Sequence, residues 1–169
     1  MRARLSNLVA PRCRLLAALL VCALVGWAAV PVSTQPAPDI AVVVHPDVPV
    51  DNLTFAELRR VLLGDREFWS SGVRVTLLIR APIARERDVA VKSICEMTEA
   101  QFRQHWIAKV FRNETPSGPK IVYSSEMAID QVTRTPGAIT FVEATKVTKG
   151  MKVLKIDGLT AGQNGYKVK

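Results

Sequence analysis

The sequence predicts a single α/β domain with helices packed on a central sheet. Segments with the apolar pattern of strands alternate along the chain with segments whose apolar residues recur every three or four positions, as they do in helices. A chain of 169 residues that is 49% hydrophobic has the size and composition of one domain with a core of its own. The sequence holds no internal repeat or low-complexity tract that would favour another architecture.

Residues 1–33 have the order of an export signal. Four arginines precede an apolar run over residues 15–25, and small residues follow it. A membrane-spanning helix needs about 20 apolar residues, and Pro31 and polar residues follow this run too soon. We therefore expect a signal peptide at 1–33 and a mature protein that is periplasmic or secreted, with retention of the leader as an anchor as the alternative.

Removal of the leader leaves a mildly basic chain with one cysteine. The leader holds four of the 23 basic residues and none of the 15 acidic ones, so a net charge of +4 remains. Nucleic-acid-binding proteins concentrate lysine and arginine in a stripe with aromatic residues, whereas here both signs are mixed, and we expect no nucleic-acid partner. Cys13 and Cys22 leave with the signal, so Cys95 has no partner for a disulfide within the mature chain.

The first half of the domain follows a linker at residues 34–39. The unbroken apolar run at residues 40–44 is typical of a strand that is covered on both faces. Thr54 and Glu57 have the spacing of a helix capping box, and Gly64 is placed to end that helix. Alternating apolar residues at 73–79 predict a second strand.

The second half begins with a helix predicted over residues 85–96. Thr98 and Gln101 repeat the capping-box spacing and predict the next helix, which is followed by a loop and a short strand at 120–123. A further helix runs to about Thr135. Two more strands are predicted, at 138–143 and 152–157, and they complete a domain over residues 40–158. Residues 159–169, which are rich in glycine and polar residues, predict a flexible tail.

A series of turn and aromatic motifs marks the middle of the chain. A leucine-leucine-glycine turn ends at Gly64, and Trp69, Gly72, Trp106 and the pair Pro136-Gly137 follow it. In order and spacing, these motifs resemble those of the substrate-binding proteins of phosphate ABC transporters, over most of residues 40–157. The likeness is greatest to short members of that family that comprise one lobe. The resemblance implies a periplasmic-binding-protein-like lobe, with a mixed central sheet and helices on both faces, that is not an enzyme.

The resemblance also points to candidate ligand-binding residues. In the family, a serine-glycine-threonine turn at a helix start holds phosphate, just after a strand that ends in arginine. Arg80 stands at the equivalent strand end, but residues 81–87 contain no serine, threonine or glycine. Arg87 is a candidate to replace the turn because a guanidinium binds oxyanions through two hydrogen bonds. Pairing with Glu86, Asp88 or a neighbouring loop is the alternative. Ser124 and Ser125 are further candidate donors, with capping of the following helix as their alternative role.

Other residue types give no sign of catalysis or of a cofactor. His45 and His105 lie far apart, with no cysteine or carboxylate at metal-ligand spacing, so we expect neither a metal site nor a catalytic base. Trp69, Trp106 and Phe111 are expected in the core rather than on a stacking platform. No cofactor is predicted.

Two functions follow from these observations. The first is an exported solute-binding protein for phosphate or another oxyanion, which works with a membrane transporter or sensor. The alternative is a ligand-free periplasmic protein-interaction module built on the same lobe. A binding module should bring Arg80 and Arg87 together in one concavity, whereas an interaction module should present an apolar or flat face.

Overall fold

A mixed five-stranded sheet forms the centre of the part of the chain that the structure describes. The structure is a computed structural model, and it describes residues 37–169. The expected signal peptide and the first part of the linker lie outside the described residues. Within residues 37–169, no helix combines the length and hydrophobicity needed to span a membrane.

The sheet has the strand order β4-β3-β5-β1-β6, and a separate pair of strands, β2 and β7, lies beside it. The strands are β1 (Ile40–Val44), β2 (Asn52–Leu53), β3 (Thr76–Arg80), β4 (Lys120–Val122), β5 (Ala138–Glu143), β6 (Lys152–Val153) and β7 (Lys155–Ile156). Strand β3 is parallel to both of its neighbours, whereas β1 is antiparallel to β5 and β6. The sheet is therefore mixed, as expected.

Helices cover both faces of this sheet. They are α1 (Phe55–Leu62), α2 (Arg85–Asp88) with a π-helical continuation (Val89–Ile94), α3 (Glu99–Phe111) and α4 (Ser125–Arg134). Buried side chains of α1, the π-helical segment and α3 share one core cluster with one face of the sheet. Helix α4 packs on the opposite face in a second cluster. The predicted α/β lobe with helices on both faces is confirmed.

Strand β1 lies inside the sheet, as its unbroken apolar run predicts. Every side chain from Ile40 to Val44 is buried. Val42 faces the cluster formed with α1 and α3, whereas Val43 faces α4. Because side chains of a strand alternate between the two faces, a strand covered on both sides needs apolar residues at every position.

The two predicted capping boxes are both present. The Glu57 amide donates to Thr54 Oγ1 at 3.2 Å, and the Thr54 amide donates to Glu57 Oε2 at 2.8 Å. The Gln101 amide donates to Thr98 Oγ1 at 3.2 Å, and the Thr98 amide donates to Gln101 Oε1 at 2.8 Å. Each box satisfies two backbone donors that the helix itself leaves free, which fixes the first turns of α1 and α3.

The glycine and tryptophan motifs hold loops against the sheet. Gly64 has a φ of +70°, and the ring of Trp106 lies over it so closely that a Cβ atom would meet that ring at 2.7 Å. Trp69 Nε1 donates to the Gly137 carbonyl at 2.9 Å. Gly64, Trp69, Trp106 and Gly137 are therefore packing residues, and they report on the fold more directly than on a ligand.

Residues 159–169 differ from the flexible tail that their composition predicts. Tyr166 and Val168 are buried in the larger core cluster. The Tyr166 hydroxyl donates to the Ile40 carbonyl at 2.8 Å, and the Ile40 amide donates to the Val168 carbonyl at 3.0 Å. The glycines and polar residues form the turns that bring these two apolar side chains back to β1, and a composition averaged over the segment hides them.

Two strand boundaries also differ from the sequence prediction. The strand expected over residues 73–79 begins at Thr76 and ends at Arg80, because the residues before it contribute only an isolated bridge between Phe68 and Arg74. The strand expected over residues 152–157 is divided into β6 and β7, which belong to different sheets.

Candidate functional site

The ends of three parallel strands bring the candidate residues together. Strands β3, β4 and β5 point the same way, so their C-terminal ends lie at one end of the sheet. Helix α2 follows β3, α4 begins after β4, and a 3₁₀ turn (Ala144–Lys146) follows β5. Ligands of open α/β sheets bind outside the carboxyl ends of the strands. This end of the sheet is therefore where a ligand site is expected.

A cluster of four polar side chains occupies this end of the sheet, and we call it the Arg80 cluster. Its members are Arg80, Glu86, Ser125 and Lys146. Ser125 Oγ donates to Glu86 Oε1 at 3.1 Å and accepts from Lys146 Nζ at 3.2 Å. Arg80 Nε lies 3.5 Å from the same Glu86 oxygen, at ion-pair distance. Glu86 is only 5% exposed, so this carboxylate is held by the cluster away from water.

Arg80 retains unused hydrogen-bonding capacity in this cluster. Its Nε and Nη1 atoms are buried and have no hydrogen-bond partner among the described residues. A buried donor without an acceptor costs about 1–3 kcal/mol, and more when it is charged. These two donor atoms therefore mark a position at which an added acceptor, above all an anion, is stabilised.

Arg87 pairs with an acid, but that acid is Glu99 at the start of α3 rather than Glu86 or Asp88, which the sequence left open as its partners. Its Nε and Nη2 atoms donate to the two oxygens of Glu99 at 2.9 and 2.6 Å, and Nη1 donates to the Arg80 carbonyl at 2.9 Å. The hydrogen bonds from Arg87 are the main cause that lowers the pKa of Glu99. Arg87 thus fixes the end of β3 and the start of α3, and its guanidinium does not point its donors into the Arg80 cluster.

The two candidate serines have different roles. Ser124 caps α4, because its Oγ accepts a hydrogen bond from the Met127 amide at 3.0 Å. Ser125, the next residue, is buried and carries its hydroxyl into the Arg80 cluster. Sequence reasoning named Arg80 and Ser125 but not Glu86 or Lys146, which reach the site from other elements.

An apolar groove lies on the other side of the sheet, between α3 and the edge strand β4. Its volume is about 800 Å³. Phe111 is 88% exposed at its wall, so the expectation that this residue lies in the core is wrong. Trp69 and Trp106 are buried, as expected. Apolar side chains of both α3 and β4 line this groove and are exposed to solvent: Ile107, Val110, Phe111 and Ile121.

Both histidines are hydrogen-bonded to the backbone, and Cys95 lies in the core. His105 Nε2 lies 2.9 Å from the Leu63 carbonyl, and His45 Nδ1 accepts from the Asp47 amide. Cys95 is buried, and burial raises the pKa of its thiol to about 12, so it is not a reactive thiolate at neutral pH. Among residues 37–169 there is no group of three or more side chains suited to hold a metal ion.

Comparison of the fold with solved structures identifies its class. The chain is similar to a protein of Clostridium perfringens described as a phosphate ABC transporter substrate-binding protein with bound phosphate, with a TM-score of 0.59 and 18% identity over 73% of this chain and 47% of that one. It is similar to an ABC-type phosphate transport receptor of Vibrio cholerae, with a TM-score of 0.60 and 18% identity over 78% of this chain and 53% of that one. It is also similar to PstS of Borrelia burgdorferi, with a TM-score of 0.57 and 15% identity over 72% of this chain and 48% of that one.

These similarities define the fold as that of one lobe of a phosphate-transporter-type solute-binding protein. The chain spans about half the length of the structures that it matches. No protein-family model matches the sequence, and no curated protein matches it. The solute-binding fold is thus shown by structure, at sequence identities where the ligand does not follow from the likeness.

Proposed function

We propose that this chain is an exported, single-lobe solute-binding protein that binds a small oxyanion of the phosphate class at the Arg80 cluster. The observation that carries this proposal is the pair of buried Arg80 donors that lack a partner among the described residues. The Ser125 hydroxyl and the Lys146 ammonium lie beside them. A guanidinium, an ammonium and a hydroxyl at the ends of parallel strands are a donor set suited to an anion.

The class of the structural neighbours supports this proposal. Their names describe substrate-binding or phosphate-transport proteins, and one of them was crystallised with phosphate. By extension, we propose that this chain acts by binding rather than by catalysis. Its predicted export signal places it in the periplasm or outside the cell, where its partner is a membrane transporter or sensor.

Affinity for the anion should be weak in an isolated lobe. A single lobe leaves one side of a bound anion in water, where charge-assisted hydrogen bonds are weaker than in an enclosed site. The Lys146 side chain in the cluster is 41% exposed, and salt screens such a charge over about 8–10 Å at physiological ionic strength. The binding that we expect therefore decreases as ionic strength rises.

Calorimetric titration of the purified chain with phosphate, sulfate and molybdate tests the proposal. We expect weak, salt-dependent binding that Arg80→Ala abolishes. Arg134→Ala is the matched control, because it removes the same charge from an exposed residue whose ion pair within residues 37–169 is with Asp130, four positions earlier on the same helix. Equal binding by both variants would contradict an anion site at Arg80, and no binding by the wild-type chain at low salt would contradict anion binding by the native protein.

A second candidate function rests on the apolar groove between α3 and β4. Exposed apolar surface of this kind is typical of a protein-interaction face. A photo-crosslinking amino acid at position 111 should then give a discrete adduct with an envelope protein in producing cells. The same label at the exposed position 148 is the control, and equal adducts from both positions would count against an interaction face at the groove.

A further inference from the structure

We propose that the Glu86 carboxylate occupies the anion position of the Arg80 cluster and competes with any external oxyanion. This inference rests on the proposed function, because it concerns the regulation of the same site. It identifies Glu86 as a built-in competitor that sets the affinity of the wild-type chain. An anion binds only when this carboxylate leaves the cluster.

The position of Glu86 supports the inference first. Its Oε1 atom accepts from Ser125 and faces Arg80 Nε, so it contacts the groups that would hold an oxyanion. Two anions at one buried position repel each other strongly, because the surrounding dielectric is low. An oxyanion and the Glu86 carboxylate therefore cannot share these donors.

The incomplete hydrogen bonding between Glu86 and the cluster also supports the inference. The carboxylate balances charge, but it leaves both buried Arg80 donors without a hydrogen bond. The contact with Arg80 Nε, at 3.5 Å, is longer than a good charge-assisted hydrogen bond. A tetrahedral oxyanion has four oxygens and would accept from Arg80, Ser125 and Lys146 together. Glu86 is therefore an imperfect occupant that a better acceptor can displace.

The backbone before Glu86 gives it a route out of the cluster. Ile83, three residues earlier, has a φ of +81° and is 97% exposed. This left-handed conformation is strained for a β-branched residue. Helix α2 is also short, and Ala84 provides no side-chain cap for it. Rearrangement of this segment releases strain while it withdraws the carboxylate.

A purely structural role for Glu86 makes a different prediction. If Glu86 only neutralises Arg80, its removal leaves a buried charge without a partner and destabilises the fold, and added anion gives no special rescue. If Glu86 occupies the position of an anion, phosphate restores the stability that the substitution removes. Rescue by a free anion therefore separates the two roles.

The test compares Glu86→Ala and Glu86→Gln with the wild-type chain at low ionic strength. Inorganic phosphate and sulfate are titrated by calorimetry, and thermal unfolding is followed with and without phosphate. We expect both variants to bind at least about tenfold more tightly than the wild type, because like-charge repulsion is removed. Phosphate should also raise the melting temperature of Glu86→Ala more than that of the wild type.

Glu126→Gln is the matched control for net charge. Glu126 is exposed and contacts Lys146, so its substitution changes the charge near the site by the same amount without vacating the Arg80 cluster. We expect its affinity to stay close to that of the wild type. If Glu86→Ala does not fold, Glu86→Gln keeps the side-chain shape and still tests the effect of removing the competing charge. The double variant Arg80→Ala, Glu86→Ala should lose the gain.

The outcomes separate the two proposals. If the wild type binds phosphate through Arg80 but neither Glu86 variant binds more tightly than Glu126→Gln, the competitor role is wrong and the proposed function stands. If the wild type does not bind but the Glu86 variants do, the competitor role stands and anion binding by the native chain is wrong. If no folded variant binds an oxyanion, both proposals are overturned.

Discussion

Single residues in this fold are determined by backbone geometry as much as by side-chain chemistry. Gly137 has a φ of +74°, and a Cβ atom there would lie 2.2 Å from the Arg74 carbonyl oxygen. Its own carbonyl accepts the indole hydrogen bond of Trp69. A side chain at this position must therefore both strain the backbone and push two segments apart.

We predict that Gly137→Ala lowers the free energy of unfolding by about 1–3 kcal/mol or more, since strain and overpacking act together. Gly118→Ala is the control, because Gly118 has open space around its Cα and no left-handed φ. The two urea midpoints give the measurement. Equal midpoints would show that the loop accommodates the methyl group and that Gly137 is not required there.

The Arg87–Glu99 pair gives the fold a pH dependence. Hydrogen bonds from Arg87 lower the pKa of Glu99 in the folded chain from its ordinary value of 4.5. A carboxylate with a lowered folded-state pKa stabilises the fold above its unfolded-state pKa, and this contribution is lost as the pH falls through the lowered value. The pair therefore stabilises the fold at neutral pH, and its contribution to stability decreases below about pH 4.5.

We expect the wild-type chain to lose stability on acidification below this pH and Glu99→Gln to lose less, as measured by urea denaturation at successive pH values. The decrease in unfolding free energy with falling pH should not disappear in the variant, because the pKa values of Glu57 and Asp157 are lowered as well. An unchanged slope in Glu99→Gln would mean that the pair does not contribute to acid sensitivity.

At the level of elements, the capping boxes explain why two helices begin where the sequence predicts. Thr54→Ala and Thr98→Ala each remove an acceptor for a backbone amide and should each cost about 0.5–2 kcal/mol. Thr148 is exposed and caps no helix, so Thr148→Ala is the control. Denaturant midpoints of the three variants test this, and a loss in Thr148→Ala equal to that in the other two would remove the capping explanation.

Local signals predicted the elements well because each signal acts over a few residues. The unbroken apolar run of β1, the two capping boxes and Gly64 each indicate the conformation of the backbone immediately around them. The exposure of Phe111, the last residue of α3, depends instead on which other segments pack beside that end of the helix, and this is set by pairing between distant segments. Periodicity gives the direction of a side chain on a helix but not whether a neighbour covers it.

The candidate site was partly predictable for the same reason. The family resemblance points to Arg80 at the end of a strand, and the predicted start of a helix points to Ser125. Glu86 lies between Arg85 and Arg87, where the sequence alone is typical of a solvated surface. Lys146 reaches the site after β5, which pairs with β3 across about sixty residues of sequence. Only the parallel pairing of these strands makes the two residues neighbours of Arg80.

At the scale of the whole molecule, the two ends of the described chain close the core together. Strand β1 begins at Ile40, and its first amide and carbonyl bond to Val168 and Tyr166. Tyr166 is buried, and burial raises the pKa of its hydroxyl well above the ordinary value, so this group stays a neutral donor across the physiological range. The last turn of the chain therefore acts as part of the core rather than as an appendage.

We predict that Tyr166→Ala destabilises the whole domain, because truncation of a buried aromatic side chain costs about 3–5 kcal/mol and a domain has only about 5–15 kcal/mol in total. Tyr166→Phe should cost about 0.5–1.5 kcal/mol through the lost bond to Ile40. Asn164→Ala, an exposed change in the same segment, is the control. Amide exchange gives the spatial test, since a cooperative core loses protection throughout β1 and not only at Ile40. If Tyr166→Ala leaves exchange in Ile40–Val44 unchanged, the C-terminal segment packs on the core without holding it together.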